Sequence, residues 1–185
     1  MRKVLLVILS GLLTISCSDN AQSSQSNGQP TPTPLTMEVP ALGPSDADMK
    51  RLNERLPKDV RDILESSEML ELFETTDTCL GQYGLKPIQS GKFQGCDVHR
   101  KTRIADRSIK RRLLDSIFSA VATAASGSAC WRGIYGLRAE FNGQRFEMLI
   151  CFECENFRGY SASSSFGGGI SAAPQPLIES LLKKN

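Results

Sequence analysis

Two short patterns in this chain have the residue types and spacing for thiol or metal chemistry: Cys151-Phe152-Glu153-Cys154 and Cys96-Asp97-Val98-His99. A C-x-x-C pair can exchange between dithiol and disulfide, although such sites usually place the first cysteine at a helix N-terminus, whereas here the pair ends a strand. Taken together, Cys96, His99, Cys151 and Cys154 offer zinc three sulfurs and one nitrogen, with Cys130 as a possible substitute. A redox or zinc site centred on Cys130, Cys151 and Cys154 is therefore the chemical alternative to a purely structural use of the cysteines. Other chemistries are poorly served. His99 is the only imidazole, no G-x-S-x-G occurs, and Glu153 and Glu155 are spaced as neighbours on one face of a strand end, which suits solvated charge better than a catalytic carboxylate pair. Trp131, Tyr135 and Phe152 could make an aromatic platform, but aromatics at hairpin positions are usually core. An enzymatic role is disfavoured, and no cofactor is implied.

The N-terminus supplies an address. Arg2 and Lys3 precede the apolar run Val4 to Leu13, then Thr14, Ile15, Ser16 and Cys17. A basic head, an apolar stretch of about ten residues and a small residue before a cleavage point make a secretory signal rather than a spanning helix, which needs roughly 20 apolar residues. A cysteine directly after the small residue resembles the lipobox of bacterial lipoproteins. That resemblance implies removal of residues 1–16, acylation of Cys17 and attachment of the exported chain to a membrane of the cell envelope; Thr14 departs from it, standing where leucine is usual.

Loss of Arg2 and Lys3 leaves 20 Lys+Arg against 20 Asp+Glu, so the formal charge falls from +2 to 0. A neutral chain lacks the electrostatic footprint of a nucleic-acid binder. The local run Lys101, Arg103, Arg107, Lys110, Arg111, Arg112 reads as a solvated basic face, with an anionic headgroup or polyanionic envelope polymer as the sharper alternative. Residues 18–44 hold five of the nine prolines and no Lys or Arg. Such a stretch cannot repay the entropy of ordering, so 17–44 is expected to be a lipid-anchored tether, with a span of roughly 30 Å if it behaves as a flexible coil.

The remaining elements must position the cysteines, and they read as one α+β domain over 45–185. Met49, Leu52, Leu56, then Val60, Ile63 and Leu64, follow helical spacing with Pro57 opening the second of two short helices. Met69 to Thr75 alternates as a strand, with continuation of the helix as the competitor, and Lys92 to Ile104 reads as a second strand. Asp106 is a fitting N-cap for a helix whose stripe runs Ile109, Leu113, Ile117 and Val121. Asn142-Gly143 suits a type I′ turn and fixes a hairpin over Tyr135 to Cys151. In that register Glu140 faces Arg145 and Arg138 faces Glu147, both of opposite sign, while Leu137, Ala139 and Phe141 share the other face with Met148, Phe146 and Gln144. The pattern implies an antiparallel sheet with one wet face. Ser161 to Ser171 reads as a Gly/Ser loop, and Pro176 opens a last helix. The expected order is α-ββ-α-ββ-α, two hairpins with helices on one face.

With Cys17 assigned to lipid, Cys79, Cys96, Cys130, Cys151 and Cys154 are the disulfide candidates; an exported chain usually oxidises its cysteines, giving two bridges and one leftover thiol. Cys130 comes level with Cys151 and Cys154 if the strands extend, which makes Cys79 with Cys96 the natural second pair; the connectivity stays open. The segments Ile63 to Leu72, Cys130 to Arg138, Leu149-Ile150-Cys151-Phe152-Glu153-Cys154 and Ser171 to Leu177 resemble a set of uncharacterised bacterial proteins with an ICFxC strand and a final P-Q-P helix. The resemblance departs at Tyr135, where those proteins often have His, and it implies the order of elements without any catalytic residue. The expected role is an envelope binding module that meets a protein partner through its sheet edge or helix-hairpin surface.

Overall fold

In the computed structural model the described residues are 45–76, 85–125, 127 and 132–183. The expected signal and tether, with Cys17, and also Cys79, Cys130 and Trp131 lie outside them. The elements are α1 (Asp46–Arg55), α2 (Lys58–Ser66), β1 (Leu70–Thr75), β2 (Lys92–Phe93), β3 (Cys96–Ile104), α3 (Arg107–Thr123), β4 (Tyr135–Phe141), β5 (Gln144–Cys151), β6 (Asn156–Tyr160), β7 (Ser165–Gly169) and α4 (Gln175–Leu182).

Local chemistry explains the helix starts. Ser45 and Asp48 form a reciprocal capping box on α1, and Asp106 accepts the N–H groups of Ser108 and Ile109 at the head of α3, satisfying donors that the first turn leaves without partners. Pro57 caps α2, and proline again stands in the first turn of α4, where its missing N–H costs nothing.

The seven strands form one antiparallel sheet in the order β2-β3-β1-β4-β5-β6-β7. Strands β3 and β4 both pair antiparallel with β1, so they run parallel to each other on either side of it, and α3 is the crossover between them. The α+β class is as expected, but the plan of two hairpins is not. Lys92 to Ile104 is not one strand: Gln94 and Gly95 both take positive φ, 51° and 83°, and fold β2 back onto β3. The Gly/Ser segment expected as a loop contains β7, which completes a four-strand meander from β4. Its ladder with β6 is made of backbone groups that every non-proline residue carries, so composition did not announce it.

The β4–β5 hairpin has the anticipated register, from Tyr135↔Ile150 to Phe141↔Gln144, with Arg138↔Glu147 and Glu140↔Arg145 opposed. All four helices contribute to the core on one sheet face, which gathers Leu70, Leu72, Leu137, Phe146, Met148 and Ile150 with Leu56, Leu64, Leu113, Ile117 and Ile178. The opposite face is not wet. Phe73, Phe93, Cys96, Leu149 and Tyr160 make a second apolar cluster there, with Leu85 and Val98 against it, and Arg138 and Glu147 are buried beside it.

Candidate functional site

A cleft of about 570 Å³ opens where the end of α2 and its link to β1 meet the first turns of α3. One wall is Glu65, Ser66, Ser67 and Glu68; the other is the α3 face carrying Arg107, Lys110, Arg111, Leu114, Asp115 and Phe118. The α3 wall follows from helical periodicity, since positions three and four apart stack on one side. Leu114 is buried and Phe118 half-buried, so the floor is apolar beneath a charged rim. Lys110 Nζ donates to the carbonyl of Glu65 at 2.9 Å and to that of Ser67, tying the two walls together at the C-terminus of α2, where a cation also meets the helix dipole. Ser67 is itself buried, its hydroxyl donating to the Leu64 carbonyl at 2.9 Å. Arg111 lies 3.8 Å from Asp115. Three cations and three carboxylates line the cleft, so it can hold groups of both signs over a small apolar contact.

The expected basic face does not form as one surface. Lys101 and Arg103 lie on the sheet face away from the helices and both engage Glu71, at 2.6 and 3.3 Å. Lys110 is spent on carbonyls, and only Arg107, Lys110 and Arg111 reach the cleft. The carboxylate wall is what sequence reasoning missed; Glu65 and Glu68 read as ordinary helix-end charge, and nothing local ties them to α3.

A second polar cluster lies under the segment 85–95. Arg138 Nε donates to Glu147 Oε1 at 2.6 Å and its Nη1 to Glu71 Oε2 at 3.2 Å, while Gln94 Nε2 reaches Glu147 Oε2 at 2.5 Å. The guanidinium carbon sits 4.9 Å from the centre of the Phe73 ring and 5.4 Å from that of Phe93, a cation–π arrangement. Burial pushes the Glu71 carboxyl up, but Lys101 and Arg138 overcome this and hold it below the usual carboxylate value. Both carboxylates are committed to guanidinium groups, so this cluster holds the covering segment rather than offering a general base.

The cysteines separate into two environments. Cys96 is buried on the second cluster and is disulfide-bonded. Cys151 and Cys154 are buried thiols, and the Cys154 N–H donates to Cys151 Sγ at 3.2 Å. His99 is exposed on β3, and among the described residues no three Cys, His, Asp or Glu side chains converge on a metal-sized site. The structure does not bring Cys96, His99, Cys151 and Cys154 together: His99 is exposed on β3 while Cys96, Cys151 and Cys154 are buried. Glu153 and Glu155 are exposed. Tyr135 and Phe152 pack as core, ring centres 5.5 Å apart, and the Tyr135 hydroxyl donates to Glu179 Oε1 of α4 at 3.0 Å. Burial, then Glu179, push that hydroxyl up to about 12.

No family model, curated protein or solved structure matches this chain. Among the described residues no helix is long and apolar enough to cross a membrane.

Proposed function

We propose that this chain is an envelope binding module, exported by its N-terminal signal, held at the membrane by acylation of Cys17, and engaging a protein partner in the α2–α3 cleft. The observation that carries the reading is the cleft itself: its volume lies in the range of pockets that bind discrete ligands, and its rim presents both signs of charge over Leu114 and Phe118. Such a rim selects by charge pattern, since a partner that places like charge against it is penalised. The basic head, short apolar run and Cys17 support the tether; the neutral balance that follows their removal supports a protein partner over a nucleic acid. The bridge on Cys96 serves stability in this reading. We assign Cys79 as its partner, because Thr76 N–H donates to the Asp97 carbonyl at 3.1 Å and so brings the chain three residues before Cys79 alongside Cys96.

A photo-crosslinking residue installed at Glu68 of the full chain in its own cells tests the site, with His99 on the sheet as control. A protein adduct formed at 68 and absent at 99 supports the cleft; equal adducts at both positions, or none at 68, overturn it. Membrane fractionation of Cys17→Ser tests the anchor separately: release into the soluble fraction is expected, and retention in the membrane overturns acylation there.

A further inference from the structure

The two edges of the sheet are finished differently. At one, β2 is two residues long and carries Lys92, paired with Asp97 at 2.7 Å; a very short edge strand bearing a charge discourages further pairing. At the other, β7 reads Ser165-Phe166-Gly167-Gly168-Gly169, with no charge and no proline. Its outward groups follow from the bonds at its two ends. The Ser161 N–H donates to the Ser164 carbonyl at 2.8 Å and the Ile170 N–H to the Glu155 carbonyl at 3.0 Å, and the β6–β7 register between them is unbroken. Backbone groups alternate sides along an antiparallel strand, so Phe166 and Gly168 face β6, whereas Ser165, Gly167 and Gly169 face away from it. The Ser171 N–H keeps the outward sense and donates to the Ala120 carbonyl of α3 at 3.1 Å, so the helix covers that end of the edge, and Gly169 beside it is buried. Ser165 and Gly167 are exposed, and their outward N–H and C=O groups have no backbone partner among the described residues.

We propose that this edge is a homodimer interface: β7 pairs antiparallel with β7 of a second copy about a twofold axis at Phe166, so that Ser165 of each copy exchanges both backbone hydrogen bonds with Gly167 of the other. Three observations point to a second copy as the occupant. First, Ser165 and Gly167 stand one residue to either side of Phe166, so a twofold there sets each outward donor opposite an outward acceptor, the self-complementarity that an isologous interface requires. Second, residues 159–178 contain no charged side chain. Two copies of the edge therefore meet without a like-charge penalty, while a foreign strand finds no charge by which to be selected. Third, Phe166 is only half-buried, its ring stacked on Phe146 with centres 5.9 Å apart and edge-on to Phe157 at 6.5 Å. On the twofold the two Phe166 residues form a non-hydrogen-bonded pair, with Cα atoms about 4.5 Å apart and side chains on one face, so each ring covers the part of the other that a lone chain leaves exposed.

Gly167 keeps the edge approachable. A β-carbon there would lie 2.5 Å from the Phe157 carbonyl oxygen, so β6 itself excludes a side chain at the position where the second backbone comes near. The ladder to β6 uses the groups of Phe166 and Gly168 and is untouched by pairing on the outer side. The product is one antiparallel sheet running through both copies, and a twofold perpendicular to it keeps both helix layers on the same face. No residue of the α2–α3 cleft lies on β7, so the pairing adds to the cleft reading without depending on it.

The test installs a photo-crosslinking residue at Ser165 of the full chain in its own cells and maps adducts by mass after trypsin, which cuts at Arg158 and Lys183. The expected adduct holds two copies of the 159–183 peptide, which a single chain cannot supply, and the purified full-length protein in detergent should sediment with twice the mass of one chain. Ser165→Pro removes an outward N–H while leaving the β6 ladder its donors, and proline is tolerated at the first residue of an edge strand. That variant should sediment at half the wild-type mass, with the Gly168 amide still protected from hydrogen exchange by its bond to β6. A wild-type protein with the mass of one chain overturns the proposal, as does an adduct from 165 to a different protein or to another segment of the chain, no adduct at all, or a folded Ser165→Pro protein that remains a dimer. The wild-type mass and the 159–183 adduct decide the matter even if Ser165→Pro fails to fold.

Discussion

Arg138 and Glu147 face each other across the β4–β5 ladder with Nε and Oε1 2.6 Å apart, and their exposures are only 8% and 1%. The pair is the centre of a row that crosses the sheet as Arg103, Glu71, Arg138, Glu147 and Tyr160, each the register partner of the next. Alternating charges at successive cross-strand positions favour one register over any slipped one, because a shift of one residue would place these groups in the helix-side core. Having left water, each charge depends on the other.

The first prediction follows from that dependence. Glu147→Ala leaves the Arg138 guanidinium buried with one carboxylate instead of two and strands Gln94 Nε2, and removing one partner of a buried pair costs roughly 3–5 kcal/mol. Replacing both, as Arg138→Met with Glu147→Leu, removes the stranded charge and should recover most of the loss. Urea denaturation of the two variants checks this; equal loss in both would show that the attraction itself, rather than the penalty of an orphaned charge, sets the stability.

Gly136 supplies the second. A β-carbon there would lie 2.5 Å from Cε1 of Phe93, and Phe93 is fully buried and stacked on Phe73 with ring centres 4.5 Å apart, so the ring has nowhere to go. Gly136→Ala should cost about 1–3 kcal/mol by overpacking and loosen the segment 85–95 that Phe93 pins. Hydrogen exchange should report faster exchange at Lys92 and Val98, whose N–H groups bond Gln89 and Gly91 carbonyls, with the α3 amides changed less.

How far the sequence reveals this fold depends on whether the determining contacts are local. Asn142-Gly143 dictates its own turn, with φ of 50° and 72°, and the hairpin register follows at once. The α3 stripe and its Asp106 cap are equally self-contained. The burial of Arg138 and Glu147 is not, because the residues that cover them lie more than forty positions earlier: Phe93 on the short strand β2 and Gln94 in the turn that follows it, where Gln94 and Gly95 take positive φ. The cleft has the same character: Arg107, Lys110 and Arg111 are visible as a basic run, but the carboxylates opposite them come from the end of a different helix. For the cysteines the spacing is visible in the sequence, but whether the side chains converge depends on the sheet: Cys96 is buried and His99 exposed on the same strand, next to the register shift between Val98 and Arg100.

A third prediction concerns acid. Because Lys101 and Arg138 hold the Glu71 carboxyl below its ordinary value of 4.5, the folded chain binds that proton less readily than the unfolded chain does. Glu71 therefore contributes its full share of stability above about pH 4.5, and this share is lost as the pH falls through the lower folded value. In Glu71→Gln the contribution is gone at every pH, so unfolding free energy measured from pH 7 down to pH 3 should fall less steeply than in the wild type. Parallel curves for the two proteins would remove Glu71 from the acid response.

At the other end of the scale stands Tyr135, one of three tyrosines in the chain. Its hydroxyl is pushed up to about 12 from 10.0, first by burial and then by donating to Glu179, and burial also raises Tyr160. A raised value means that the folded state keeps the proton through a range in which the unfolded state has lost it. The stabilisation is complete below pH 10 and drains away as the pH climbs toward 12. Ultraviolet titration of the native protein should show Tyr135 ionising late, with at least one phenolate fewer near pH 11 than the unfolded chain displays. Tyr135→Phe removes one late-ionising phenol and one of the two donors to Glu179, leaving Gln175 Nε2 at 2.9 Å, so its unfolding free energy should decline less between pH 10 and 12. If Tyr135→Phe leaves the number of late-ionising phenols unchanged, the hydroxyl counted there belongs to another tyrosine, and the tie from β4 to α4 does not control the alkaline limb.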